Sequence, residues 1–130
     1  MKYVYPAIFT PLDDGQYDVY VPDLPYCRTC GHGLAGAIEM AEDAMAMWLW
    51  DAENKKEDIP APSKTLPHKP PQFVSFIKVD TDEYRKAHDT RAIKKTLSIP
   101  SWLNYQAEKA NAPFSQILQK GLKKYLQVSD

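Results

Sequence analysis

Residues 93–99 read IKKTLSI, and this stretch decides the fold of the last third of the chain. Its apolar and polar side chains alternate, which is the pattern of a β-strand with one covered face and one open face. Leu97 and Ile99 would lie on the covered face. The open face would carry three polar side chains, Lys94, Thr96 and Ser98.

Two helices are predicted after this strand. Pro100 ends the strand, and a first helix spans residues 101–111 until Pro113 interrupts the pattern. Ser115 is placed to cap a second helix, because a serine hydroxyl accepts a hydrogen bond from a backbone N–H in the first turn. The apolar stripe of this second helix includes Ile117, Leu118 and Leu122.

One strand and two helices cannot bury this apolar surface on their own, and a lone strand leaves both hydrogen-bonding edges open. Two copies that pair their strands antiparallel would solve both problems, because four helices would then cover one face of a two-stranded ribbon. The predicted dimer core consists of Leu97, Ile99, Ile117, Leu118 and Leu122. The alternative is that the strand extends a sheet formed by the preceding residues.

The open face of such a ribbon is suited to DNA. A two-stranded ribbon fits the major groove, where Lys, Thr and Ser side chains can contact base edges. The predicted base-contacting residues are Lys94, Thr96 and Ser98. The start of the second helix offers free backbone N–H groups to a phosphate. The predicted phosphate-contacting residues there are Phe114, Ser115 and Gln116.

Charge divides the chain near the same place. Residues 1–88 carry nine Lys and Arg against fourteen Asp and Glu, a balance of −5. Residues 89–130 carry seven against three, a balance of +4. A basic segment after an acidic one favours a polyanionic partner for the C-terminal part.

The first 88 residues alternate between strand and helix patterns. A hairpin is predicted because an Asp-Asp-Gly turn at 13–15 separates two β-rich runs. Later, apolar residues recur at helical spacing over residues 34–53. The predicted elements are strands at 1–9, 17–21, 27–31 and 72–79, helices at 34–53 and 81–88, a proline-rich loop at 54–71 and a linker at 89–92. Thr81 or Asp80 would cap the second of these helices.

The composition is that of a folded protein, with 44 % hydrophobic and 12 % aromatic residues. No apolar run reaches the ~20 residues that a membrane-spanning helix needs. The N-terminal MKYVYPAIF lacks the pattern of a secretory signal. Two cysteines are too few for a disulfide framework, so we expect a cytoplasmic protein with reduced thiols and no membrane association.

A divalent-metal nuclease would need several carboxylates that converge on one metal ion, and the candidates lie around the hairpin: Asp13, Asp14, Asp18 and Asp23. Two of them lie in the turn, where Asp is common for backbone reasons. Asp18 would lie on the outer face of the hairpin, and Asp23 stands between two prolines. The strand at 72–79 adds no further acid, so we expect no enzymatic activity.

A metal site is the second hypothesis. Cys27, Cys30 and His32 have a spacing that could hold a metal ion, with His68 or His88 as a fourth ligand. Structural zinc sites usually draw on two well-spaced ligand pairs, and only one pair is present, so buried thiols without metal are expected. A metal would define the main rival function, a metal- or ligand-responsive repressor.

Two known families resemble parts of this chain. The C-terminal IKKTLSIPSWLNYQAEKANAPFSQILQKGLKKYL resembles the ribbon-helix-helix repressors in its order of elements. The N-terminal MKYVYPAIFTPLDDGQYDVYVPDLPYCRTCGHGLAGAIEMAEDAM resembles the HicB antitoxins, notably in VPDLPYCRTCG and the helix pattern that follows. Together the two segments cover nearly the whole chain, in the order typical of that antitoxin family.

The resemblance implies an α+β protein with two domains. Residues 1–88 would form a partial RNase-H-like domain (β-β-β-α-β-α) that binds and silences HicA, a small mRNA-cleaving toxin. Residues 93–130 would form the ribbon-helix-helix module (β-α-α), which dimerises and represses the protein's own operon by binding operator DNA. Base contacts carry over only to the three polar strand residues, and no toxin-contacting residue carries over. The resemblance implies no cofactor, and it leaves open whether dimers pair into tetramers.

Overall fold

The first part of the chain folds around a four-stranded sheet. The computed structural model describes residues 1–129, of which Met1–Thr90 form one unit. The strands of this unit are β1 (Lys2–Pro11), β2 (Gln16–Tyr20), β3 (Arg28–His32) and β4 (Phe73–Asp80). All neighbours pair antiparallel in the order β3-β2-β1-β4, so β1 lies inside the sheet and β3 and β4 are its edges.

Helix α1 (Gly33–Lys55) packs on one face of this sheet. Alternate residues of β1 point towards the helix, and among them Tyr5 and Phe9 are buried. The helix meets these large side chains mainly with small ones: Ala37, Ala41, Ala46 and Ala52. Small residues on the covered side allow the helix axis to lie close to the sheet.

Helix α2 (Thr81–His88) follows β4 directly. Of the two predicted caps, Asp80 is the one that acts, because its Oδ1 accepts a hydrogen bond of 3.0 Å from the backbone N–H of Asp82. Thr81 is completely buried instead. Asp82 and Glu83 lie in the first turn of α2, where negative charge interacts favourably with the helix dipole.

The predicted α+β class is confirmed. Every strand and helix that the sequence predicts within the first 88 residues is present, in the predicted order and with ends shifted by at most two residues. The periodicity of two in the strands and of 3.6 in the helix therefore carried enough information to place these elements.

The second unit runs from Arg91 to the last described residue, Ser129; Asp130, the end of the predicted module, lies outside the described residues. It contains helices α3 (Ser101–Lys109) and α4 (Phe114–Leu126). The predicted strand at 93–99 does not form within the single chain. A strand is defined by its hydrogen-bonded ladder, and the described residues of this unit contain no other strand with which to pair.

The predicted cap at Ser115 is wrong. Helix α4 already includes Phe114, the residue in the cap position is Pro113, and no side chain caps this end. Proline starts helices readily, because its φ is fixed near the helical value and it has no N–H that needs a partner. Ser115 therefore lies inside the first turn.

Gly31 of β3 is the point where the sheet and α1 come closest. A Cβ atom at this residue would lie 2.6 Å from the backbone N and Cα of Ala37 in α1. Real Cβ atoms do not approach backbone so closely, so any other residue would push the helix away from the strand. Gly36, one turn into the same helix, has no atom within 4 Å of the equivalent position.

We expect Gly31→Ala to lower the free energy of unfolding by about 1–3 kcal/mol, the usual cost of overpacking a tight contact. Gly36→Ala is the matched control and should be neutral or stabilising by up to about 1 kcal/mol, because alanine favours the helix. Urea denaturation followed by tryptophan fluorescence measures both. Equal stability of Gly31→Ala and wild type would contradict the close approach.

Candidate functional site

A turn between β2 and β3 presents a tyrosine to solvent. Three backbone hydrogen bonds close this turn, from Leu24 N to Val21 O (3.1 Å), from Cys27 N to Leu24 O (3.0 Å) and from Val21 N to Cys27 O (2.9 Å). Tyr26 adopts a left-handed conformation with φ 65° and is 99 % exposed. Such a conformation is uncommon for a tyrosine, so the surrounding hydrogen bonds hold it in place.

Asp23 fastens the proline-rich loop to this turn. Its two carboxylate oxygens accept hydrogen bonds from the backbone N–H of Ser63 (2.7 Å) and from the Ser63 hydroxyl (2.6 Å). The carboxylate is thus occupied by a structural contact. Of the other acids in the nuclease hypothesis, Asp14 accepts from the N–H of Gln16, and Asp18 lies 3.9 Å from the Arg28 guanidinium.

The thiols and imidazole of the metal hypothesis do not form a ligand set. Cys27 is buried, and this burial raises the pKa of its thiol to about 11, which opposes the thiolate that a metal requires. Cys30 is exposed on β3. Within residues 1–129, no three His, Cys, Asp or Glu side chains are grouped so that they could hold a metal ion.

A groove runs between this turn and the outer face of α1. It has a volume of about 480 Å³, and Tyr26 and Arg28 line one side of it. The helix lines the other side with alternating apolar and acidic residues, Met40, Asp43, Met47 and Asp51. Trp48 joins the two sides, since its indole Nε1 donates a 3.0 Å hydrogen bond to the carbonyl of Pro25.

A cluster of polar side chains around Glu53 joins β1, α1 and α2. Glu53 Oε2 accepts from the hydroxyls of Tyr3 (2.7 Å) and Thr81 (2.9 Å), and Oε1 accepts from the Arg85 guanidinium at 3.0 Å. Burial alone would raise the pKa of Glu53, but these hydrogen bonds and the Arg85 charge outweigh it and lower the pKa. Burial and the Glu53 hydrogen bond raise the pKa of Tyr3 to about 12.

In the second unit, the predicted dimer-core residues surround an open groove of about 600 Å³. Leu97 and Ile99 line it from the extended segment, and Ile117 and Leu118 line it from α4. Leu122 continues the stripe of α4 outside the groove lining. Their side chains remain 39–54 % exposed, and no residue of α3 or α4 is buried.

The predicted base-contacting residues lie away from this groove. Lys95 lines the groove together with Leu97 and Ile99, whereas Lys94, Thr96 and Ser98 do not line it and are exposed. The alternation of a strand is therefore present although the ladder is not. It also puts Lys95 on the apolar side, as the pattern of the sequence requires.

The predicted phosphate-contacting residues form the first turn of α4. Phe114, Ser115 and Gln116 precede the first backbone bond of the helix, which runs from Ile117 N to Pro113 O over 3.0 Å. Their N–H groups therefore have no partner within the helix. Phe114 and Ser115 also line the apolar groove, whereas Gln116 does not.

Two features of the first unit were missed from the sequence. Tyr26 follows Pro25 in a run of turn-forming residues, but nothing local predicts its left-handed conformation. Glu53 lies off the apolar stripe of α1, so the sequence pattern predicts a solvent-exposed acid. Its partner Arg85 is 32 residues away in the sequence. Only the tertiary fold brings that pair together.

The architecture and these two sites define a two-unit α+β protein with an open groove beside α1 in one unit and an exposed apolar surface in the other. Residues 5–126 match the family described as HicB_like antitoxin of bacterial toxin-antitoxin system. This match covers most of the chain, so the protein belongs to the HicB-like antitoxins, and the resemblance of its N-terminal residues is confirmed. No helix among residues 1–129 has the length and hydropathy needed to cross a membrane.

Three relatives agree with this assignment. "Antitoxin HicB 1" of Photorhabdus laumondii subsp. laumondii is 37 % identical over 60 residues, and the match spans 45 % of this chain but only 39 % of that relative. A solved structure, "Toxin-Antitoxin complex from Streptococcus pneumoniae", shares 26 % identity with this chain at a TM-score of 0.59. The match covers 96 % of this chain and 99 % of the chain in that structure. The HicB antitoxin of Burkholderia pseudomallei has the same fold, with a TM-score of 0.51 and 20 % identity. The match covers 95 % of this chain and 96 % of that one.

The Glu53 cluster predicts a dependence of stability on pH. Because folding lowers the pKa of Glu53, its contribution is present above the unfolded pKa, near 4.5, and is lost as the pH falls through the folded pKa. We expect Glu53→Gln to cost about 1–3 kcal/mol at pH 7, since charge-assisted hydrogen bonds are lost. The difference in unfolding free energy between Glu53→Gln and wild type should shrink as the pH falls below about 4.5.

The matched control is Glu39→Gln, which removes an exposed acid from the same helix. This variant should keep the stability and pH profile of the wild type within about 0.5 kcal/mol. Thermal unfolding followed by circular dichroism between pH 3 and pH 7 measures all three proteins. A Glu53→Gln difference that stays constant with pH would contradict the role of the charge.

Proposed function

We propose that this chain neutralises a HicA-type, mRNA-cleaving toxin through its first unit and represses its own operon through its second. The observation that carries the toxin-binding half is the family membership of residues 5–126, supported by the likeness to a solved structure described as a toxin–antitoxin complex. The acidic balance of −5 in residues 1–88 suits a toxin that must be basic to bind RNA.

Neutralisation on this proposal is steric occlusion and not catalysis. Asp23, one of the four acids of the nuclease hypothesis, uses both carboxylate oxygens to accept hydrogen bonds from Ser63. The same contact supports an ordered scaffold that presents a surface to a partner. The order of strands, with a helix between the third and fourth, supports a partial RNase-H-like class for this unit.

Operator binding rests on the second unit. Its apolar residues are half exposed around an open groove, and residues 95, 97 and 99 alternate with the exposed Lys94, Thr96 and Ser98. A second copy that pairs its segment antiparallel would supply the missing ladder and cover the groove. The resulting homodimer would be a ribbon-helix-helix with six polar strand side chains turned towards DNA, and the backbone of residues 114–116 would contact phosphates.

The first test concerns the toxin. We expect a reading frame for a small basic protein beside this gene, and we expect that protein to co-purify with the full chain when both are expressed together. Co-expression should also relieve the growth arrest and mRNA cleavage that the neighbour causes alone. Lys94→Ala is the control, because it should leave neutralisation intact. Failure of the wild-type chain to bind its neighbour or protect growth would contradict the antitoxin function.

The second test concerns DNA. Leu97→Asp should abolish both the dimer and operator binding, because a carboxylate would be buried in the dimer core. Lys94→Ala should instead keep the dimer and weaken specific binding by about 1–3 kcal/mol, through loss of a base contact. Fluorescence anisotropy on the protein's own promoter, at one fixed salt concentration, and analytical ultracentrifugation give both readouts.

Lys78→Ala is the matched control, since it removes an exposed lysine from β4 in the other unit. It should change neither the dimer nor the affinity for the promoter. A Leu97→Asp monomer that binds the promoter as tightly as wild type would overturn the dimer model. An unchanged affinity in Lys94→Ala would remove this residue from the base contacts.

A further inference from the structure

We propose that the toxin docks on the outer face of α1, in the groove against the β2–β3 turn, with Tyr26 as its central anchor. This inference rests on the proposed toxin-binding function and specifies the surface that carries it. Three independent features of the groove point to a protein partner that is basic and has an apolar centre. They are the exposed methionines of the helix, the fixed tyrosine of the turn and the charge of α1.

The outer face of α1 carries exposed methionines among its acidic residues, where a solvent-exposed helix face is normally polar throughout. Met40 and Met47 are seven residues apart, so they lie two turns apart on the same side of the helix. Their side chains are 45 % and 52 % exposed. The sheet-facing side of the same helix is formed by other residues, among them Met45 and Leu49, so these two methionines are not part of the core. Flexible methionines are common on surfaces that bind proteins.

Tyr26 is held ready for a partner. The hydrogen bonds that close its turn fix the backbone, and the Trp48 bond to Pro25 fixes the turn against α1. Its side chain is nevertheless 99 % exposed. An aromatic residue on a rigid turn loses little conformational entropy on binding, and tyrosine is enriched among the residues that dominate interfaces. The uncommon backbone conformation of Tyr26 thus holds the aromatic ring at the surface, where a partner can contact it.

The charge of α1 selects a basic occupant. The helix contains five acidic residues and one lysine. The groove lining carries Asp43 and Asp51 against the single cation Arg28, so its charge balance remains negative. A second copy of this chain would bring such carboxylates against each other, which opposes self-association through this face. A protein that binds RNA presents the opposite charge and would be attracted.

The opposite face of the sheet is the competing surface. Val4 and Phe76 are 43 % and 58 % exposed there, because they alternate with the buried residues of β1 and β4. Lys78 pairs with Val4 across these strands, and Lys2, two residues before Val4 on the same face, pairs with Asp80. The two lysines outnumber Asp80 on this side, so it offers a basic toxin no negative balance, and the structure favours the α1 groove.

Two variants of the full chain test the groove against the co-expressed toxin. Tyr26→Gly keeps the left-handed backbone available and removes only the aromatic anchor. Met47→Lys replaces an exposed methionine by a good helix former and adds a charge that repels a basic partner. Each should weaken toxin binding in isothermal titration calorimetry by about 30-fold or more, the loss that an anchor residue causes. Thermal unfolding of each free variant should match wild type.

Phe76→Lys is the matched control, because it makes the same change of an exposed apolar residue on the opposite face. It should bind the toxin within about threefold of wild type, since residues outside the interface contribute little. Loss of binding in Phe76→Lys, with Met47→Lys and Tyr26→Gly unaffected, would overturn the groove in favour of the sheet face. Absence of binding by the wild-type chain would instead overturn the antitoxin function itself.

Discussion

The backbone contact between β3 and α1 at Gly31 is the constraint on which the first unit depends. It sets the distance between the helix and the sheet, because the chain leaves β3 and enters α1 within two residues. Near this contact the helix presents small side chains to the sheet, Ala37 and Ala41, whereas the larger Met45 and Leu49 are buried further along the helix. The strands supply Tyr5 and Phe9 to the core and the helix supplies Met45 and Leu49, while Met40 and Met47 remain exposed.

The other end of α1 is fixed by charge and hydrogen bonds instead of close packing. Glu53 contacts Tyr3, Thr81 and Arg85, so that one carboxylate holds the first strand and the second helix together. Its side chain is only 19 % exposed, and a carboxylate in such a place is stable because each oxygen has a partner. With both ends of α1 fixed, its outer face has a defined position relative to the β2–β3 turn.

The sequence predicted the elements of the first unit well because their patterns are local. Alternation in β1 and β4 and the helical spacing of α1 are visible within short windows, and tertiary contacts only adjust the ends. The Glu53–Arg85 pair and the conformation of Tyr26 were not predictable in this way. The first depends on residues far apart in the sequence, and the second depends on hydrogen bonds that close only in the folded turn.

The segment at 93–99 failed as a strand for a different reason. Its alternation was recognised correctly, and the structure keeps it, since Leu97 and Ile99 line the groove and Thr96 does not. Ladder hydrogen bonds, however, need a second strand that one chain does not supply. Likewise, the start of α4 at Phe114 reflects Pro113, whose fixed φ competes with the serine cap that the sequence also allows.

The two exposed apolar surfaces therefore differ in kind. The α1 groove belongs to a unit with a complete core, so it can remain open without cost to that unit until a partner arrives. The groove around Leu97 and Ile117 belongs to a unit whose helices bury no residue at all. Burial is the main source of folding free energy, so a second copy that covers this groove also stabilises the unit. On the dimer proposal, the order of the second unit must depend on protein concentration, whereas the order of the first must not.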